Sequence, residues 1–177
     1  MQNEKLFEEL KILLVQERPE HATLIIDQLN EISSTPKIRV IHVPSVTKAR
    51  ACLKTETFSV LLLDLNLSDL PAIEALTLIQ KNTPTTPVIT LATEDDETLS
   101  KAVIEKGAQD YLIKAELTGP ILSRTIRHAI ERKKQLIRLT LQNENLQAFA
   151  KAASHDLKAP LGNIKTISQI VLEEAGS

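Results

Sequence analysis

Apolar residues in this chain fall into short unbroken runs, separated by stretches in which they recur every three or four positions. The strongest run is Phe58-Ser59-Val60-Leu61-Leu62-Leu63, closed by Asp64-Leu65-Asn66. A run of this kind, bounded by turn residues, predicts a strand buried on both faces of a parallel sheet. Residues 11–15, 38–43, 88–92 and 109–113 are further runs of the same sort. Between them the period lengthens to that of a helix. Pro19 suits a first helical turn, and Leu24, Ile25, Leu29 and Ile32 give that helix an inward stripe. Ser45 caps a second helix, from Val46 to about Lys54, with Val46, Ala49 and Leu53 inward. Pro71 starts a third, with Ile73, Leu76 and Ile79 inward. A fourth runs from Glu94 to about Glu105, and Gly107 provides a left-handed stop after it. Gly119-Pro120 opens a fifth. Strand and helix alternate five times, with connections too long for hairpins. The predicted fold class is therefore α/β, a five-stranded doubly wound parallel sheet with helices on both faces.

The pattern changes in the last third. After Ile121 no turn signal occurs until Pro160. Arg124, Arg127, Arg132, Lys133, Lys134 and Arg138 read as a solvated helix face. Leu146, Ala150, Ala153, Leu157, Pro160, Ile164, Ile167 and Val171 then alternate in steps of four and three. That is a heptad seam, which a lone helix cannot bury. It predicts a long C-terminal helix that pairs with a second copy, as a homodimeric coiled coil or as half of a helical bundle. At the other end, residues 1–10 are expected to form an arm.

Composition narrows the classes. At 177 residues and 42% hydrophobic content, one ordinary domain with an appendage is expected. Aromatics make up only 2%, too few for base-stacking platforms, and the net charge of -2 exerts no pull on DNA or anionic lipid. No nucleic-acid or membrane partner is expected. Cys52 is the single cysteine, so neither an internal disulfide nor a cysteine-rich zinc site can form. No run approaches a membrane span and the first ten residues do not resemble a signal peptide, so the cytoplasm is the default location.

Candidate chemistry lies at the carboxyl ends of the predicted strands, where open α/β sheets bind ligands. Those ends carry Gln16 and Glu17, Asp64, Ala92 and Thr93, and Lys114. Two carboxylates and an ammonium in one crevice suit Mg2+ and a phosphoryl group, because a hard cation takes oxygen ligands. Asp64 then becomes a candidate nucleophile toward phosphorus, and Lys114 a counter-charge for the phosphoryl oxygens.

Three stretches sharpen this reading: residues 61–69 (LLLDLNLSD), Thr86-Pro87-Val88-Ile89, and residues 107–114 (GAQDYLIK). With them the chain resembles the receiver domain of bacterial response regulators, over about residues 11 to 124. The resemblance implies a flavodoxin-like receiver fold. It also implies that Asp64 is the phosphoacceptor, that Glu17, Asp64 and the Asn66 carbonyl hold Mg2+, that Lys114 partners the phosphate and that Tyr111 is the switch aromatic. The implied phosphodonor is a histidine kinase or phosphotransfer protein. Three positions depart from the family, one of them Ala115, where Pro commonly follows the lysine. Gln16 stands where a second acid is usual, which weakens Mg2+ binding. Ala92 stands where Thr or Ser is usual and has no hydroxyl to offer a phosphoryl oxygen. Thr93, the next residue, is expected to point the other way if the strand continues.

Residues 154–161 (SHDLKAPL) place a histidine on a helix, off the seam and beside a carboxylate. This stretch resembles the phosphoacceptor box of histidine kinases, with Pro160 five residues after His155. By that resemblance His155 is a phosphohistidine and Asp156 its acidic helper. No Gly-rich nucleotide-binding stretch follows, so ATP-dependent autophosphorylation is not expected of this chain. The expected organisation is an arm (1–10), a receiver domain (11–123), a linking signalling helix (124–148) and a partial dimerisation and phosphoacceptor helix (149–177). The expected function is two-component phosphorelay signalling. Its rival is a degenerate pseudo-receiver, a non-catalytic module for protein interaction and dimerisation.

Overall fold

The computed structural model describes residues 9–31 and 37–175, with side chains up to His155. The arm at residues 1–8, Ile32 and the loop at 33–36 lie outside the described residues, as do the side chains of Asp156, Leu157, Pro160, Ile164, Ile167 and Val171. The chain divides into two compact units, Met1–Gln135 and Leu136–Ser177.

The first unit alternates strand and helix: β1 (Glu9–Val15), α1 (Pro19–Asn30), β2 (Lys37–Val43), α2 (Val46–Thr55), β3 (Val60–Asp64), α3 (Ala72–Asn82), β4 (Val88–Ala92), α4 (Glu97–Glu105) and β5 (Asp110–Ile113). A short 3-10 turn (Lys114–Glu116) follows, and then the long helix α5 (Gly119–Ala175). All neighbouring strands are parallel, in the order β2-β1-β3-β4-β5. This is the doubly wound sheet that the apolar pattern predicts.

β3 is central and buried on both faces. Leu61 and Leu63 pack with Val46, Ala49, Leu76 and Ile79, on the side of α2 and α3. Val60 and Leu62 pack with Ile25, Leu29, Leu122 and Ile126, on the side of α1 and α5. The alternation follows from the two-residue period of a strand. Thus no polar residue is tolerated along β3 until its last position, Asp64.

Several boundaries differ from the sequence reading. β1 begins at Glu9, pairing with Lys37, so Glu9 and the buried Leu10 belong to the sheet and not to an arm. β3 begins at Val60; Phe58 is buried ahead of it, with the Lys11 ammonium 5.3 Å from its ring centre. Leu24 is 65% exposed, and Ala22 takes its place on the inner face of α1 with Ile25 and Leu29. The spacing of three and four from Ala22 turns Leu24 about two residue steps off that face. α4 starts at Glu97 and not at Glu94, because the Asp96 side chain accepts from the Leu99 N–H as an N-cap. Gly107 has φ 95°, the left-handed stop expected of it.

Within the first unit α5 contributes Leu122, Ile126, Ala129 and Ile130 to the core. The helix is therefore part of the domain well past residue 124. Of the basic stretch, Arg132 donates to the Gln109 carbonyl at 2.8 Å and lies 3.4 Å from the Asp110 carboxylate. The second unit is the remainder of α5. Leu136, Leu139, Leu146 and Phe149 are exposed along it.

Candidate functional site

Asp64 is the last residue of β3, and Lys114 follows the last residue of β5. β4 lies between their strands, and all three end on the same rim of the sheet. The Lys114 ammonium donates to both Asp64 oxygens, at 2.9 Å each. The Asp64 side chain is 2% exposed and that of Lys114 13%. Such a doubly bonded pair, nearly closed to water, is held by charge-assisted hydrogen bonds that offset the cost of desolvating both charges. The open side is a cavity of about 410 Å3, lined among others by Arg18, His21, Asp64, Ala92, Thr93 and Lys114.

The loop after β3 grips the same carboxylate. The Asn66 N–H donates to Asp64 Oδ1 at 3.1 Å. In turn, Asn66 Oδ1 accepts from the Thr93 N–H at 3.2 Å and from the Thr93 hydroxyl at 2.9 Å. Thr93 therefore does not point away from the site. β4 ends at Ala92, so the strict alternation of a strand no longer governs the next residue. Thr93 lines the cavity, but its hydroxyl is engaged with Asn66. Ala92 also lines the cavity and offers it only a methyl group.

The second predicted acid has partners of its own. The Glu17 carboxylate accepts from the Ser68 N–H at 2.9 Å and from the Ser68 hydroxyl at 2.6 Å. Glu17 does not line the Asp64 cavity. The Ser68 hydroxyl and N–H hold the Glu17 carboxyl below the usual glutamate range, and the Arg18 charge adds to this against an opposing desolvation. Gln16 is fully buried. Its Oε1 accepts from the Arg18 N–H at 3.1 Å, while its Nε2 has no hydrogen-bond partner. In the loop after β3, Asp69 accepts from the Val46 N–H at 2.9 Å and so caps α2.

The donor chemistry bears on a divalent cation. Asp64, Glu17 and the Asn66 carbonyl are all oxygen donors, as Mg2+ requires. However, one carboxylate is committed to Ser68, and no cluster of three His, Cys, Asp or Glu side chains exists among the described residues. The site is suited to Mg2+ by ligand type and short of one charge.

Tyr111 is half-buried against the core. Its hydroxyl donates to the Glu94 carbonyl at 2.8 Å and accepts from the Asp96 N–H at 3.3 Å. It thereby ties β5 to the loop between β4 and α4. His155 lies in the second unit, on an exposed position of α5.

Arg18, His21, Glu94 and Asp96 also line the cavity, and the sequence reading did not single them out. Pro19 marks a helix start two residues after Glu17, and a helix entering there puts Arg18 and His21 at the rim. That signal was available, but no charge pattern distinguishes these residues from ordinary surface ones. A second cavity of about 350 Å3 adjoins the first and shares His21, Thr93 and Lys114, with Leu24, Ile25 and Leu117 on its apolar side.

Known proteins resemble this chain over most of the first unit. Residues 12–131 match the family described as response regulator receiver domain. Among solved structures, a response regulator receiver domain protein from Clostridium thermocellum is 30% identical, with a TM-score of 0.59, and the alignment covers 72% of this chain and 98% of that one. The BeF3-activated receiver domain of DrrB is 26% identical, with a TM-score of 0.56 and coverage of 68% and 97%; DrrB is a Thermotoga maritima response regulator. The receiver domain of a sensor histidine kinase from Pseudomonas aeruginosa, with a magnesium ion in its active-site cleft, is 24% identical, with a TM-score of 0.60 and coverage of 70% and 98%. No curated protein matches the chain.

Proposed function

We propose, for a chain that belongs to the response regulator receiver domain family through residues 12–131, that Asp64 accepts a phosphoryl group from the phosphohistidine of a histidine kinase or phosphotransfer protein. One observation carries the reading: a nearly buried Asp64 carboxylate opens on a cavity with the Lys114 ammonium 2.9 Å from both of its oxygens. In the transfer an Asp64 oxygen attacks phosphorus, the donor's N–P bond breaks, and the imidazole leaves with the bonding electron pair and takes up a proton. Lys114 neutralises charge that grows on the phosphoryl oxygens. The Asn66 N–H steadies the carboxylate, and Arg18 and His21 face the incoming anion. Mg2+, when bound by Asp64, Glu17 and the Asn66 carbonyl, adds a second positive charge beside the phosphoryl group. Its binding is weak, since Glu17 must leave Ser68 and Gln16 brings no charge.

The readout is taken to be α5, as a homodimer that carries His155 as a second phosphoacceptor with Asp156 beside it, in the cytoplasm. Among the described residues no helix is long and apolar enough to cross a membrane.

A second reading has its own support. The engaged Glu17, the methyl of Ala92 and the neutral Gln16 favour a pseudo-receiver that works through contacts alone. Beryllium fluoride separates the two. With millimolar Mg2+, a phosphoacceptor binds it in a manner abolished by Asp64→Asn, read by fluorine NMR or by a shift in Tm. Absence of binding in the unaltered protein sinks the phosphoacceptor reading.

A further inference from the structure

We propose that Asn143 sets the register and the stoichiometry of a parallel, two-stranded coiled coil between two copies of this chain. This rests on the reading of α5 as a homodimer and specifies its geometry. The supporting observations lie in the second unit. There the helix is continuous, and Leu139, Leu146 and Phe149 are 63%, 67% and 72% exposed. Positions 136, 139, 143, 146, 150 and 153 are spaced by alternating steps of three and four. The heptad seam therefore starts at Leu136, one and a half repeats before Leu146, where its apolar residues are first read in sequence. The order of the steps puts Leu136, Asn143 and Ala150 at a positions, and Leu139, Leu146 and Ala153 at d.

Asn143 is the one polar residue among these six. A single Asn at an a position fixes register and oligomeric state, at some cost in stability. The cause is its amide, which both donates and accepts. In a parallel in-register pair each Asn143 lies opposite its copy, and the two amides can bond across the seam. An antiparallel pair, or a slip of one heptad, sets it against an apolar residue and leaves a desolvated amide unpaired, a cost of about 1–3 kcal/mol. Here the Asn143 Oδ1 accepts from Gln147 Nε2 at 3.0 Å along the helix, and its other lone pair can face a partner.

The flanks explain why the choice falls on this residue and why the occupant is a second copy. The e and g positions around it, Thr140, Gln142, Gln147 and Phe149, carry no charge. No ion-pair pattern there selects a partner of opposite sign or dictates orientation. The strip is self-complementary, and Asn143 brings the one amide to its a and d positions. In the same heptad frame His155 is at an f position, on the side farthest from the partner.

The test uses the full chain with Cys52→Ser, to which Leu139→Cys is added as an orientation reporter at a d position. Sedimentation should give a dimer, and mild oxidation should link Cys at 139 to its copy in high yield. Asn143→Leu should then produce trimers or larger species and lower that yield by at least about half, while raising Tm. If Asn143→Leu leaves both the dimer and the cross-link unchanged, the assignment to Asn143 is overturned and the homodimer stands. A protein that stays monomeric at every concentration overturns the homodimer and the inference together, while beryllium fluoride binding still reports on the receiver.

Discussion

Glu17 and Ser68 are joined by two hydrogen bonds across 51 residues of sequence, and the carboxylate that makes them does not line the Asp64 cavity. The loop after β1 is thereby latched to the loop after β3, and a candidate metal ligand is held in reserve. On the proposed function, Mg2+ would have to compete with Ser68 for this carboxylate.

The latch has a pH dependence. Ser68 lowers the Glu17 carboxyl below its ordinary value, so the folded form binds its proton less readily than the unfolded form. The latch is therefore intact above the ordinary glutamate range and is lost as pH falls through the lowered value. At neutral pH it is complete. An NMR titration should show the Glu17 carboxyl and the Ser68 amide changing together below the usual glutamate midpoint. Ser68→Ala should move that midpoint upward and tighten Mg2+ binding a few-fold.

Restoring the missing charge should also strengthen the metal. Gln16→Glu keeps the side-chain shape and replaces the unpartnered Nε2 with an oxygen. Without metal the added buried carboxylate should lower Tm. With Mg2+ the Tm should recover, and the Mg2+ midpoint should fall about tenfold, on the order of 1.4 kcal/mol. An unchanged Mg2+ midpoint would place Gln16 outside the metal's reach.

Removing the ammonium tests the phosphoryl chemistry. Lys114→Met should slow phosphoryl transfer to Asp64 on the order of 100-fold, since one preorganised charge is lost from the transition state. It also strips Asp64 of its buried partner, which should cost about 1–3 kcal/mol of folding stability. Stopped-flow transfer from a small phosphodonor and urea melts separate the two effects.

Ala92→Thr should supply the hydroxyl that the cavity lacks. Ala92 is buried at the rim of β4, and the larger side chain enters the open cavity instead of the core. Beryllium fluoride should bind several-fold more tightly, as one neutral hydrogen bond of about 1 kcal/mol allows. An unchanged affinity would mean that residue 92 does not reach the phosphoryl oxygens.

Leu24 tests the macromolecular donor. It is exposed beside the apolar cavity that adjoins the site. Leu24→Glu should weaken transfer from a partner phosphohistidine about tenfold and leave transfer from a small phosphodonor unaltered. Equal losses with both donors would point to damage at the site itself.

Much of the architecture was legible in the residues. Unbroken apolar runs separated by helical periods specify a parallel sheet, because only a strand covered on both faces needs Leu61, Leu62 and Leu63 in succession. Asp64 and Lys114 stood out because charge interrupts those runs where the strands end. The inner face of α1 was less legible: Leu24 and Ala22 both fit a helical period, and only packing against the sheet selects Ala22. The start of α4 turned on a cap, and Asp95 and Asp96 are equally good caps on paper. Gln16 was recognised as an absent charge, but its burial and unpartnered amide depend on neighbours that no local pattern encodes.

By itself the chain's order of residues determined the alternation of strands and helices, the family and the identity of the groups at each strand end, since these follow from local periodicity and residue chemistry. The tertiary structure alone decided which of those groups meet. Asp64 and Lys114 come together because two strands separated by a third end on the same rim. Glu17, equally acidic and in the loop after the neighbouring strand, does not line that cavity, because the loop after β3 engages its carboxylate with two donors of Ser68.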